Sequence, residues 1–530
     1  MEGASAVISG PTKYDQVPYE SYPFHQSQPD RLATMAKLFG MNPTPVNKCR
    51  VLELGCASGG NLIPIASIYP ESEFVGVDLS QVQVSAGQEM IKGIGLKNVE
   101  LKCMSIADIN ADYGKFDYII CHGVYSWVPH EVQDAIMRIC GENLTDQGVA
   151  YISYNTYPGW HFRGIIREAM IYHASQFTEP AVKAAQGRAL LDFLAQAVPE
   201  GQAYGLMLKD EINILKNQKD YYLLHEHLED VNYPNYFHDF IEKAQAHGLQ
   251  FLSEAELSVM LTSQFPQNVR DTLNRISNEI VKTEQYIDFV RNKYFRQTLL
   301  CKKDVTLNRN LTPANIMQFY VSSPFKSQAE NVDLRSPQGE TFAAPNGMTI
   351  TATNPLVKAA LRYLGQIWPR TIAFDELFSI AQSSLASVMI KDAQTLEREK
   401  QAVAADLLSL YAGGFIILRS NPSPFVTEVS QNPHASEVAR YQVKTSNVLT
   451  NRVHEAVTAD LVAQHLIDVC DGKRNKEEIL NEMVARVKNG AINIHKEGKK
   501  VEDDAAIREI LGPMVESSLQ NLARVCLLVS

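Results

Sequence analysis

Five short apolar runs, at 51–54, 74–77, 99–103, 118–121 and 149–154, recur in the first third of the chain, with helical or loop segments between them. Strands that alternate with helices form βαβ units, and these give a parallel sheet with right-handed crossovers. The intervening periodicity agrees. Leu32, Met35, Ala36 and Phe39 make one apolar helical stripe closed by Gly40; Val132, Ile136, Ile139 and Cys140 make another within 129–144. Ligands of such sheets bind beyond the carboxyl ends of the strands. The residues just after each run are therefore the ones to read for chemistry.

The first run leads into Glu53-Leu54-Gly55-Cys56-Ala57-Ser58-Gly59-Gly60-Asn61. Its glycines allow a tight turn and a close backbone approach to a ligand, and the helix that follows offers free N–H groups. The spacing is G-x-x-x-G-G, not the G-x-G-x-x-G that packs a pyrophosphate, so a ligand carboxylate fits better. The second run ends in Val77-Asp78-Leu79-Ser80, where an acid can accept both hydroxyls of a ribose. The third leads to Ser105-Ile106-Ala107-Asp108, with a carboxylate able to accept from an adenine amino group. The fourth begins at Phe116-Asp117-Tyr118, where Asp117 reads as structural, and ends in Cys121-His122-Gly123-Val124-Tyr125-Ser126-Trp127.

The order of these signals resembles the class I S-adenosylmethionine-dependent methyltransferases over about residues 45–155. The opening YDQVPYESYPF from Tyr14, HGVYSWVP at 122–129, SYNTYPGWHF at 153–162 and YYLLHEHL from Tyr221 extend the likeness. They are similar to bacterial proteins that add a methyltransferase regulatory domain, some of which methylate lysines of outer-membrane proteins. The fold expected is α/β: a Rossmann-like methyltransferase sheet, then a mainly helical regulatory part and α+β C-terminal domains. The resemblance implies S-adenosyl-L-methionine as cofactor, held by Glu53, Gly55, Cys56, Ala57, Gly59, Asn61, Asp78, Leu79, Ser105, Ile106, Asp108, His122 and Gly123. It also implies a lid that carries Tyr14 and Tyr19. The aromatic loops after the fourth and fifth strands supply the catalytic candidates Tyr125, Trp127, Tyr154 and Asn155; core packing is the alternative for Trp127 and Tyr154.

With 530 residues, several domains are expected. Residues 1–175 read as the donor-binding core with its lid, 176–304 as a helical regulatory and dimerisation region, 305–435 as a middle α+β domain, and 436–530 as helical with a winged-helix-like pattern. Helical segments at 163–216 serve dimer contacts in the resembled family; internal packing accounts for them equally well. The part after about residue 215 carries no donor-binding motif and reads as acceptor-selecting. His225, His227 and His238, near Glu226 and Asp239, lack HExxH spacing and read as structural, so no metal is expected.

Lys plus Arg number 49 against 60 Asp plus Glu, a net charge of −11. This argues against nucleic acid as partner, because phosphate neutralisation needs clustered cations. Eight cysteines without a CxxC pair, no secretory leader pattern and no bilayer-length apolar run give the expectation of a cytoplasmic protein without membrane insertion. The expected activity is methylation of protein lysines. A small-molecule N- or O-methyltransferase and a non-catalytic donor-binding module are the alternatives.

Overall fold

The computed structural model describes residues 15, 17, 19–329, 333–385, 392–496 and 499–530. Its centre is a seven-stranded sheet of β1 (Arg50–Leu54), β2 (Glu73–Asp78), β3 (Val99–Cys103), β4 (Phe116–Cys121), β5 (Leu144–Asn155), β6 (Leu249–Glu254) and β7 (Phe295–Lys302). The strand order is 3-2-1-4-5-7-6. The first five strands are parallel, and β7 runs antiparallel to both β5 and β6. Val51, Leu52 and Leu54 on β1 and Ile119 and Ile120 on β4 are wholly buried. Helices on both faces of a parallel sheet require such continuous apolar strands. The order reverses between β1 and β4, and the crevice for a ligand opens there.

The expected boundary at 175 falls inside this architecture. β6 and β7 come from the region read as helical, and they complete the sheet beside β5. Their sequences, LQFLSE and FRQTLLCK, carry polar residues that hide a strand when read locally. Arg296 and Glu254 are nonetheless buried, because they pair with each other. The chain after residue 215 is thus not separable from the core. Ending the chain at 215 removes two strands and bares the edge of β5. The product is expected to be insoluble, which a comparison of soluble yields with the full chain will check.

Helices Gly159–Ala174, Pro180–Ala197, Ala203–Leu215 and Asp220–Glu226 enclose a small core of their own around Met170, Leu191, Leu208 and Leu223. The middle segment holds an antiparallel pair, Glu340–Ala343 and Thr349–Ala352, with helices Pro355–Ile367, Phe374–Ser384 and Ala393–Ala412. Pro345-Asn346-Gly347 makes the expected turn, with Gly347 at φ 84°. The C-terminal part combines helices Glu437–Gln442, Leu461–Val469, Lys476–Lys488 and Asp504–Arg524 with two short hairpins. Its first helix packs on helices Leu62–Ile68 and Gln81–Ile94 of the core. The approach is close: a Cβ on Gly93 would lie 2.4 Å from the Tyr441 ring. Among the described residues, no helix is long and apolar enough to cross a membrane.

Candidate active site

The turn after β1 is fixed by its own backbone. The N–H groups of Gly55 and Cys56 both donate to Val77 O, at 2.9 and 3.0 Å, tying the turn to the end of β2. Gly55 sits at φ 74°, and a Cβ there would lie 2.4 Å from Val124 Cγ2. Asp78 braces the same turn, since its Oδ2 accepts from Ala57 N at 2.8 Å and its Oδ1 from Ser80 N at 2.9 Å. Burial raises its pKa, and these backbone donors pull it back. Glu53 lies deeper. Burial pushes it up to about 8, although Asn61 Nδ2 donates to its Oε1 at 2.7 Å. Its Oε2 has no hydrogen-bond partner in the protein.

Above this turn lies a cavity of about 510 Å³. Its lining includes Glu53, Gly55, Cys56, Ala57, Asn61, Asp78, Leu79, Ser105, Ile106, His122 and Gly123. Burial lowers the pKa of His122 to about 3, so the ring is neutral. It stacks on Phe24 at 3.6 Å, and its Nδ1 lies 2.8 Å from Tyr151 Oη. The segment Tyr19–Phe24 forms a strap along the cavity and lends it Tyr19, Glu20, Ser21 and Phe24. Gln83 Nε2 donates to Tyr19 O, Gly60 N to Ser21 Oγ, and Phe24 N to Asn61 Oδ1. Glu20 pairs with Lys219 at 2.6 Å and joins the strap to the regulatory region.

Trp127, Asn155, Arg163, Tyr222, Glu226 and Tyr294 also line the cavity. Asn155 Nδ2 donates to Asn232 Oδ1 at 2.9 Å. Arg163 pairs with Glu211 at 2.9 Å and lies over the rings of Trp160 and Tyr294. Burial pushes Glu226 up to about 7, against the nearby Arg163 charge. Of the flanking histidines, His225 also lines the cavity, with its Nε2 2.8 Å from Val17 O, whereas His227 turns to Glu211, with its Nε2 2.6 Å from Oε1.

Tyr125 and Tyr154 are not among the cavity-lining residues. Both are buried around Phe240: Tyr154 stacks on it at 3.9 Å and Tyr125 meets it edge-on at 5.3 Å. Tyr154 lies inside β5 rather than in a loop after it, and Tyr125 just after β4; the large apolar area of both rings draws them onto the helix Phe237–Ala246. Gly59 serves the turn, at φ 75° against Ile63 and Leu101, and Asp108 is exposed beside the cavity rather than in its lining. Tyr14 lies outside the described residues. Asp117 is structural, accepting from Thr44 Oγ1, Arg50 N and Thr145 Oγ1. Glu226 lines the cavity from the helix Asp220–Glu226, and no local signal in HEHLED tells which side chain of so short a helix faces a cleft.

Three family models match: "Methyltransferase domain" over residues 51–148, "Predicted methyltransferase regulatory domain" over 219–302 and "PKMT, C-terminal winged helix domain" over 431–527. The chain is 37% identical to uncharacterized protein RP789 of Rickettsia prowazekii, over 98% of this chain and 95% of that one. It also resembles the solved structure of PKMT2 from Rickettsia typhi, with TM-score 0.87 and 31% identity over 97% of this chain and all of that one. The same protein in complex with AdoHcy matches with TM-score 0.86. The cavity suits that ligand class: a strand-end acid, a buried carboxylate oxygen without a partner and a glycine turn that admits no side chain. The methyl donor is S-adenosylmethionine. The chain belongs to the family of PKMT2, class I S-adenosylmethionine-dependent methyltransferases with a regulatory domain and a C-terminal winged-helix domain.

Proposed function

We propose that the protein is a protein-lysine N-methyltransferase, with the donor at the Gly55–Asp78 end of the cavity and the acceptor amine at the Glu226 end. The observation that carries this reading is that one cavity is lined both by the acids Glu53 and Asp78 and by a further carboxylate, Glu226, together with Trp127, Tyr222 and Tyr294; burial raises Glu226 to about 7. The PKMT winged-helix match supports a protein acceptor. S-adenosylmethionine supplies an activated methyl group on a positively charged sulfur. The remaining work falls to the chain. Asp78 holds the ribose hydroxyls, Glu53, steadied by Asn61, the amino-acid end, and Ser105 and Ile106 the base. Trp127 and Tyr294 exclude water, and aromatic faces suit a cationic ammonium. A lysine amine must lose a proton before it attacks, from an ordinary pKa of about 10.4. Desolvation promotes that loss, and Glu226, once ionised, accepts the proton.

Two results are expected. Asp78→Ala weakens S-adenosylhomocysteine binding by about 1.5–3 kcal/mol, the scale of hydrogen bonds to a charged group, in a protein that remains folded. Calorimetric titration measures this, and unchanged affinity would remove Asp78 from the donor site. For Glu226 the sign is set by the form that works: only the ionised carboxylate accepts a proton. Turnover therefore rises as pH passes upward through about 7. Glu226→Gln lowers kcat/KM by about 100-fold, within the usual range for a general base, and flattens that limb. Steady-state rates from pH 6 to 9 check it. Mass spectrometry of lysate proteins incubated with labelled donor tests the acceptor class. Methyl-lysine at defined sites is expected; label confined to small molecules would favour a small-molecule methyltransferase.

A further inference from the structure

Asn61 carries more contacts than a turn residue needs. Its Nδ2 donates to Glu53 Oε1 at 2.7 Å and to Ser27 Oγ at 3.1 Å, while its Oδ1 accepts from Phe24 N at 2.9 Å. A backbone N–H cannot accept, so the amide orientation is fixed. The fourth contact comes from nearly four hundred residues away: His454 Nε2 lies 2.7 Å from the same Oδ1. An oxygen that can only accept requires the proton on Nε2. His454 Nδ1 is then bare, and it has no hydrogen-bond partner.

His454 stands in the turn between the strands Val448–Thr450 and Ala456–Thr458, inside the segment matched as a winged-helix domain. It is completely buried and holds a left-handed backbone at φ 67°, which costs a non-glycine residue energy. The turn is anchored twice. Arg452 donates to Ser67 Oγ at 3.2 Å in the core, and Asn451 Oδ1 accepts from the backbone of Val453 and Glu455. A strained, braced turn from one domain thus delivers a single N–H to the amide that holds Glu53.

We propose that the C-terminal winged-helix domain is part of the donor-binding machinery: His454 is a positioning residue that locks Asn61 against Glu53, so docking of this domain and binding of the methyl donor are energetically coupled. The inference rests on the reading of Glu53 and Asn61 as donor-site residues. Coupling is reciprocal, so whatever loosens the domain weakens donor binding, and the donor tightens the domain.

The full-length protein tests this with S-adenosylhomocysteine. His454→Leu keeps an apolar side chain and removes the N–H. It is expected to weaken binding about tenfold and to raise the donor KM equally, with kcat at saturating donor within about twofold of the parent. His454→Gln, whose amide can reach Asn61, restores most of the affinity. In the unmodified protein, S-adenosylhomocysteine is expected to slow amide hydrogen exchange at 451–455 as well as at 53–61. Unchanged affinity in His454→Leu, or exchange at 451–455 that ignores saturating ligand, overturns the proposal; the exchange measurement decides if the variant does not fold. If Asp78→Ala and Asn61→Ala both bind as the parent does, the donor-site reading itself fails and this proposal falls with it.

Discussion

Arg296→Leu is expected to destabilise the protein by about 3–5 kcal/mol, the cost of removing one partner from a buried ionic cluster. Arg296 is fully buried in β7. Its Nε and Nη2 hold both oxygens of Asp288 at 2.8 Å, and its Nη1 meets Glu254 Oε1 at 2.7 Å. Nη2 also reaches Glu284 Oε2 at 3.1 Å, and the guanidinium lies over the Phe237 ring. Burial alone would raise Glu254, yet Arg296 and Lys293 overcome it and hold the carboxylate at about 2. Glu284 is pushed by burial up to about 7 and so is largely protonated at mildly acidic pH. The leucine variant strips Asp288 of its ion-pair partner and leaves Glu254 with Lys293 alone, 3.7 Å away. Chemical denaturation followed by circular dichroism should show an early transition. Arg296→Lys, which keeps the charge and loses the planar fork, should fall between the two. An unchanged midpoint for the leucine variant would mean that the cluster relaxes or takes up water at little cost.

Gly55→Val is expected to abolish donor binding, with at least about a hundredfold loss in affinity, equivalent to about 2.7 kcal/mol. Two costs act together. A β-branched residue at φ 74° is strained, and its Cβ alone would stand 2.4 Å from Val124, a cavity-lining residue. The turn must move, and with it the Ala57 N–H that Asp78 accepts. Gly123→Ala is the matched control. Gly123 also has a positive φ, at 67°, and lines the cavity, but a Cβ there meets nothing within 4 Å. Calorimetry on both variants separates strain from obstruction: Gly123→Ala should lose several-fold at most. Equal losses would show that backbone strain, rather than lost space, governs the site.

The part of the cavity around Gly55 and Asp78 was legible because its signals are local. A strand, a glycine turn and a strand-end acid each occupy a few consecutive residues, and the five parallel strands follow the expected runs within a few residues. The rest of the cavity was less so. Trp127 and Asn155 line it, while Tyr125 and Tyr154 pack on Phe240, a partner 86 or more positions away that local sequence cannot supply. β7 was hidden for a related reason. Arg296 reads as a surface residue until Glu254, Glu284 and Asp288 converge on it. Glu226 and His454 gain their meaning only from what the fold brings opposite them.

The long-range pairing of β5 has a consequence for biosynthesis. Ala150 pairs with Leu300 and Asn155 with Phe295. A ribosome that adds about 5–20 residues per second exposes β5 on the order of ten seconds before β7 can emerge. Through that interval the nascent chain offers an open strand edge with a buried-type sequence, the arrangement most prone to pair with another chain. The helical excursion between them, residues 159–226, can collapse on its own small core meanwhile. Translation speed across this stretch, as much as final stability, then governs how much of the newly made protein reaches its native form.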